Sequence, residues 1–119
     1  MLIAGACAGA GRETRPRAEE RPRGAEIGFA SYYGRSFHGK RTASGDRYDA
    51  REMTCAHRRH PFGTVLRVTE LESGRSVLVT VTDRGPFARG RIIDLSLAAA
   101  RVLRILERGV ARVRVERVQ

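Results

Sequence analysis

The chain carries a carboxylate at the point where an apolar strand pattern stops. The pattern ends at Asp83, and a loop rich in glycine, proline and arginine follows within residues 81–96. A carboxylate fixed at the end of a strand beside cations is how a scaffold presents an acid to a ligand. Asp before Arg-Gly-Pro is also ordinary turn chemistry. The segment alone therefore predicts either a ligand-facing acid or a turn-capping one.

The other groups able to move protons are few, and all but Asp94 lie in predicted loops or at strand ends. They are His38, Asp46, Asp49, Glu52, His57 and His60. A carboxylic acid beside a histidine is a common general acid–base pair. The histidines show neither the helical H-x-x-x-H pair nor the Cys/His cluster that is typical of zinc sites. We therefore expect acid–base chemistry without a metal ion.

Aromatic residues gather in the same stretches of sequence as these groups. They are Phe29, Tyr32, Tyr33, Phe37, Tyr48, Phe62 and Phe87. Sugar rings have apolar faces and polar edges, so aromatic side chains beside carboxylates and arginines suit a sugar-binding groove. The alternative is that several of them simply fill a small core.

The chain is strongly basic, with a formal net charge of +10. Such a charge predicts an anionic partner, which is a nucleic acid, an acidic membrane or an acidic polysaccharide, unless it reflects a general arginine bias. The basic residues are scattered, and no zinc-finger, helix-turn-helix or RNA-binding aromatic signature is present. Nucleic acid is therefore the weaker alternative, and we expect no nucleic-acid partner.

The 119 residues are enough for one domain and too few for two. Residues 1–25 differ from the rest: a short apolar run ends at Cys7, and a polar stretch without apolar period follows. We interpret this part as a truncated export signal with Cys7 as lipidation candidate, followed by a disordered linker. We expect Cys55 to be a small buried residue, and we find no segment long enough to span a membrane.

The elements that must position these groups are short. Apolar alternation predicts strands over 65–70, 76–82 and 110–118, and β-prone residues predict one over 27–33. A buried run is predicted over 92–95. A long polar loop, 34–49, has the length that usually carries function.

Other signals predict helices and turns between these strands. We expect one helical turn over 53–58, and a helix over 97–107 with Ser96 as its N-cap and Gly109 just after its end. Turn signals lie at 61–64 and 72–75. Short strands separated by frequent turns predict a mainly β single domain, most simply a small barrel.

Four blocks of sequence closely resemble the RlpA-like (rare lipoprotein A) domain. They lie within residues 26–118, in the family's order, at 28–49, 54–58, 61–64 and 83–100. The resemblance implies a six-stranded double-psi β-barrel with one or two short helices, covering residues 26–119. It implies a lytic transglycosylase that cuts peptidoglycan between N-acetylmuramic acid and N-acetylglucosamine and leaves a 1,6-anhydro end.

The resemblance also implies roles for single residues. Asp83 and His57 match the catalytic positions, and Asp46, where the family usually has Glu, matches a helper. The matching motifs place further substrate contacts at Tyr33, Phe37, His38, Ser44, Thr82, Arg84 and Phe87. Thr82 stands where Asn is common, which would weaken any contact made by that amide.

The same resemblance sets expectations for partners and location. We expect a monomer without cofactor that acts on peptidoglycan strands in the bacterial cell envelope, with membrane contact only through Cys7. The C-terminal SPOR module of many family members is not expected, so septal targeting is not implied. The alternative function is a non-catalytic, expansin-like module that binds polysaccharide or loosens the wall, because one barrel hosts several functions.

Overall fold

The computed structural model describes residues 24–119, so the predictions for residues 1–23, Cys7 included, lie outside the described residues. The strands are β1 (Glu26–Tyr32), β2 (Thr54–Ala56), β3 (Val65–Glu70), β4 (Ser76–Asp83), β5 (Arg91–Leu95) and β6 (Ala111–Arg117). Helix α1 (Leu97–Leu103) lies between β5 and β6, and one 3-10 turn spans Arg35–Phe37.

The six strands close into a barrel in the order β1-β5-β2-β4-β3-β6. The pairs β1–β5 and β2–β4 are parallel, and the other four are antiparallel. Closure leaves no strand edge unpaired. The expectation of a mainly β, six-stranded barrel with one or two short helices is confirmed.

Alternation along the strands places one set of apolar side chains inside the barrel. Leu66, Val68, Val79 and Val81 are buried on the β3–β4 hairpin, as the predicted strand pattern requires. Helix α1 packs against β4, and Ser96 caps it by accepting a hydrogen bond from the backbone N–H of Ala99 (3.2 Å).

The helical turn predicted over 53–58 is wrong, because this segment forms strand β2. Cys55 pairs with Leu95 of β5 on one side and Val81 of β4 on the other. A helical turn would leave the inner edges of both neighbours without partners, and the closing of the barrel outweighs the weak local preference.

The helix predicted over 97–107 is four residues shorter than expected. Arg104 adopts a left-handed conformation (φ 59°) and its N–H bonds the carbonyls of Ala100 and Arg101, which ends the helix. The chain turns there because Ile105 is then fully buried in the core. Gly109 (φ 74°) belongs to the next turn instead.

The described part of the chain contains no helix long and apolar enough to cross a membrane.

Candidate active site

An open cleft of about 410 Å³ lies where β1 and β4 end and the 34–49 loop folds over the barrel. Two carboxylates line it, Asp83 at the last position of β4 and Asp94 on β5. Aromatic side chains form another part of the wall, namely Tyr32, Tyr33, Phe37 and Tyr48. The cleft therefore brings acids and aromatic faces together, as the sequence predicts for a sugar-binding groove.

Three hydrogen bonds fix the orientation of the Asp83 carboxylate. Its Oδ1 accepts from the backbone N–H groups of Ala43 and Arg84, both at 2.9 Å. Its Oδ2 accepts from the Tyr33 hydroxyl at 2.5 Å. The donors come from three separate segments, so Asp83 is held by the tertiary fold and does more than cap its own turn.

Tyr33 connects the acid to the aromatic wall. Burial, then the hydrogen bond to Asp83 and its charge, raise the pKa of Tyr33, and the charge of Asp94 adds to the effect. The phenol therefore stays a donor at neutral pH. Its ring stacks on Tyr48 with centroids 4.7 Å apart and meets the edge of Phe37 at 5.5 Å.

Asp94 is a second cleft acid, one that sequence reasoning did not place in the site. Its Oδ1 accepts a hydrogen bond from the Ser31 hydroxyl on the parallel neighbour β1. The available signal was an acid between two buried apolar neighbours, Ile93 and Leu95. Such an acid needs a polar environment, and here the cleft provides it.

His57 reaches Asp83 through its backbone, not through its ring. Its backbone N–H donates to the Asp83 carbonyl at 3.1 Å, while the imidazole, 2% exposed, is directed elsewhere. Ring atom Nδ1 accepts from the backbone N–H groups of Arg59 (3.1 Å) and His60 (3.3 Å). These donors assign the ring proton to Nε2, which donates to Glu26 Oε1 at 2.7 Å.

Glu26, His57 and His60 form the cluster of potential metal ligands found within residues 24–119. The hydrogen bonds do not suit a metal ion. A metal at His57 Nε2 needs the proton on Nδ1, yet Nδ1 already accepts two N–H groups. The guanidinium of Arg59 also occupies the other Glu26 oxygen, at 3.0 Å.

Arg84 directs its charge away from the Asp83 carboxylate. Its Nη1 donates to the carbonyls of His57 (3.1 Å) and His60 (2.9 Å). Its guanidinium carbon lies 4.0 Å from the centroid of the Phe62 ring. Arg84 lines the cleft, but its guanidinium holds the segment that follows β2 through the His57 and His60 carbonyls. Its substrate contact stays a prediction.

Three other predicted site residues hold the loop that faces Asp83. The Ser44 N–H donates to the Thr82 carbonyl at 3.2 Å. The Ser44 hydroxyl bonds Thr42 Oγ1 at 2.9 Å and lies 3.5 Å from the Asp46 carboxylate. This loop presents the N–H of Ala43 to Asp83. Ser44, Asp46 and Thr82 lie outside the cleft lining, and their substrate contacts stay predictions.

His38 and Phe87 also lie outside the cleft lining. His38 Nδ1 accepts from the backbone N–H of Ala50 at 3.1 Å, so this histidine braces the long loop. Phe87 is 80% exposed on the loop between β4 and β5, where it is open to contact by a long polymer. Both assignments as substrate contacts stay predictions.

Comparisons with known proteins agree with this architecture. A family model described as lytic transglycolase matches residues 25–115. A probable endolytic peptidoglycan transglycosylase RlpA from Nostoc sp. is 57% identical over 91 residues, which are 75% of this chain and 24% of that protein. The Pseudomonas aeruginosa (strain UCBPP-PA14) endolytic peptidoglycan transglycosylase RlpA is 53% identical over 90 residues, 76% of this chain and 26% of that protein. The chain thus spans about a quarter of the length of these relatives.

Solved structures share the barrel at lower identity. A Streptomyces papain inhibitor superposes with a TM-score of 0.65 at 26% identity, covering 82% of this chain and 97% of that one. An expansin from Clavibacter michiganensis gives 0.63 at 23% identity, covering 80% of this chain and 50% of that one, which shows the fold alone. The family model and the close relatives, together with the closed barrel, confirm the resemblance to the RlpA-like domain: the chain belongs to the lytic transglycolase family of double-psi β-barrel domains.

Proposed function

We propose that this chain is an endolytic peptidoglycan transglycosylase that acts through Asp83. The observation that carries the proposal is the Asp83 carboxylate, oriented by three donors in an open cleft with an aromatic wall. The RlpA relatives named as peptidoglycan transglycosylases support it.

The reaction needs one group that gives and takes a proton. The Asp83 carboxylate takes the proton of the C6 hydroxyl of N-acetylmuramic acid as that oxygen bonds C1 of the same sugar. It passes this proton to the glycosidic oxygen as the bond between that oxygen and C1 breaks. No water is consumed, and Asp83 regains its starting state, so one acid–base group serves both halves.

Asp94 and the aromatic wall have supporting roles in this proposal. Glycosidic cleavage passes through a transition state with positive charge at the sugar ring, and the Asp94 carboxylate faces the same cleft. Phe37, 46% exposed, offers its ring to the apolar face of a sugar. His57 holds the Asp83 backbone in this scheme and transfers no proton.

The test is the substitution Asp83→Asn, which keeps the shape of the side chain and removes its acid. We expect at least a hundredfold loss of cleavage, in the range typical for removal of a general acid–base group. The readout is mass spectrometry of fragments released from sacculi and from peptide-stripped glycan, scored for 1,6-anhydromuramyl ends.

Asp49→Asn is the matched control, because Asp49 pairs with the exposed Arg51 (3.1 Å) and lies outside the cleft lining. We expect it to cleave like the parent chain. Full cleavage by Asp83→Asn would overturn the acid assignment. Sedimentation with sacculi without released fragments from the parent chain would favour the expansin-like binding alternative.

The substrate class supports a proposal about location. Peptidoglycan places the protein in the bacterial cell envelope, and we propose that it is a periplasmic monomer, anchored to the outer membrane when Cys7 is lipidated. An intact mass of protein from the native host tests the anchor, since an unmodified Cys7 would remove it.

A further inference from the structure

The candidate cleft is lined by four basic side chains but only two acidic ones. Its basic lining residues are Lys40, Arg41, Arg84 and Arg91. Neutral donors orient the two carboxylates, namely the Tyr33 and Ser31 hydroxyls and, for Asp83, two backbone N–H groups. Within residues 24–119 no ion pair joins either cleft acid to one of these cations. The acids and the cations therefore form separate parts of one cleft.

The four cations differ in how far their head groups are already engaged. Arg84 donates to two backbone carbonyls, and Arg41 Nη1 donates to the Gly45 carbonyl at 2.8 Å. The Lys40 ammonium lies 5.5 Å from the Phe37 ring centroid, which leaves its hydrogen bonds for a ligand. Arg91, half-buried at the start of β5, makes no side-chain hydrogen bond to any described residue.

A guanidinium at the edge of a ligand cleft has a specific chemical complement. Its planar donors match a carboxylate through two parallel hydrogen bonds. We propose that Arg91, assisted by Lys40, forms an anion subsite that binds a carboxylate carried by the glycan substrate. This inference rests on the proposed function, and it makes Arg91 the residue that separates acidic peptidoglycan from neutral polysaccharides.

The carboxylate has two possible sources on the same polymer. In peptide-free glycan the lactyl group of each muramic acid ends in a free carboxylate. In peptide-bearing glycan that group is an amide, and the nearest carboxylates belong to the stem peptide. Arg91 recognises the same chemistry in both, so the ligands used in the test must tell the sources apart.

Binding to defined oligosaccharides tests the subsite without requiring cleavage. The ligands are a GlcNAc–MurNAc tetrasaccharide with free lactyl carboxylates, the same compound with each carboxylate converted to a primary amide, and a stem-peptide-bearing form. Kd is measured in the Asp83→Asn background, so that cleavage does not consume the ligand. We expect the acid to bind on the order of tenfold tighter than the amide, as one charge-assisted pair in a partly exposed site allows.

Two variants and a control assign the preference to Arg91. We expect Arg91→Gln to bind acid and amide equally and Arg91→Lys to retain part of the preference, because it keeps the charge without the planar donors. Arg101→Gln, an exposed position on α1, should behave like the parent chain. Circular dichroism melting of each variant verifies that it is folded.

The binding experiment tests the Arg91 subsite independently of the cleavage experiment on Asp83. Equal affinity of the parent for acid and amide, or a tenfold preference kept by Arg91→Gln, would overturn the subsite even if cleavage is found. An Arg91-dependent preference would support it even if no cleavage occurs. Tighter Arg91-dependent binding of the stem-peptide ligand would support the subsite and assign its source to the peptide.

Discussion

The structure gives His57 and Asp94 roles that their residue types and sequence motifs did not predict. His57 has the character of an acid–base group, yet both ring nitrogens are occupied, by backbone donors and by Glu26. Its contribution to Asp83 is a backbone hydrogen bond. Asp94, which the motif comparison left out of the site, lines the cleft. Residue type and spacing therefore identified Asp83 but not Asp94 as a cleft acid, and they assigned the partners of neither.

Tyr33 gives a pH prediction at the residue scale. Its pKa is raised in the fold above the 10.0 of the unfolded chain, chiefly by burial and next by Asp83. Above pH 10 the unfolded chain therefore loses a proton that the native state keeps, so the free energy of unfolding falls as pH rises. We expect Tyr33→Phe to lower this slope by at most about 1 kcal/mol per pH unit, allowing for partial exposure.

Urea unfolding at pH 9, 10 and 11 measures that slope. The other tyrosines are present in both chains and cancel in the comparison. Parallel curves for Tyr33→Phe and the parent would contradict the assignment of Tyr33 as a native-state donor to Asp83.

Among the elements, the sequence predicts the β3–β4 hairpin better than strand β2, whose partners are distant in the chain. The strands over 65–70 and 76–82 are adjacent in sequence and alternate clearly, and the structure confirms them within one residue. Strand β2 has only three residues and no local partner. Its conformation depends on β4 and β5, which lie far along the chain, so no local pattern could indicate it.

The turn of the β3–β4 hairpin depends on a buried acid, Glu70. Its carboxylate accepts from the backbone N–H groups of Ser73 and Glu72, each at 2.9 Å. Interaction with the Ser73 side chain, followed by the backbone hydrogen bonds from Glu72 and Ser73, lowers the pKa of Glu70 below its usual 4.5, although burial opposes this shift. The resulting stability is complete above pH 4.5 and is lost as pH falls through the native pKa.

We expect Glu70→Gln to destabilise the domain at pH 7 by about 1–3 kcal/mol, because the buried, ionised acceptor of two turn N–H groups is removed. The difference from the parent should shrink as the pH falls below 4.5. Urea unfolding at pH 7 and at lower pH measures both effects. Glu72→Gln is the control, since its side chain is 81% exposed, and a loss there as large as at Glu70 would contradict the argument.

For the whole molecule, the sequence patterns predicted a small β-barrel, whereas its six-stranded double-psi form was predicted only by the resemblance to a family. The order β1-β5-β2-β4-β3-β6 cannot be read from alternation, which gives the face of a strand but not its neighbour. The contacts in the cleft could not be predicted from alternation either. The hydrogen bonds from Tyr33 to Asp83 and from Ser31 to Asp94 form only when the barrel closes.

Cys55 offers a probe of the whole barrel. It is 2% exposed between β4 and β5, and burial, with a smaller contribution from Asp94, raises the pKa of its thiol. We expect no alkylation of Cys55 in the native state at pH 8 and complete alkylation in denaturant, followed by mass mapping of its peptide. Rapid labelling under native conditions would mean that β2 opens without global unfolding.

The hydrogen bond from Tyr33 to Asp83 spans 50 positions of the chain, and that from Ser31 to Asp94 spans 63. Contacts of such separation form late, because loop closure must precede them, and folds rich in them refold slowly. The carboxylates of Asp83 and Asp94 therefore gain these partners only once nearly the whole domain has folded. Recovery of the proposed cleavage activity during refolding should accordingly coincide with the final folding phase, so that this activity reports completion of the barrel.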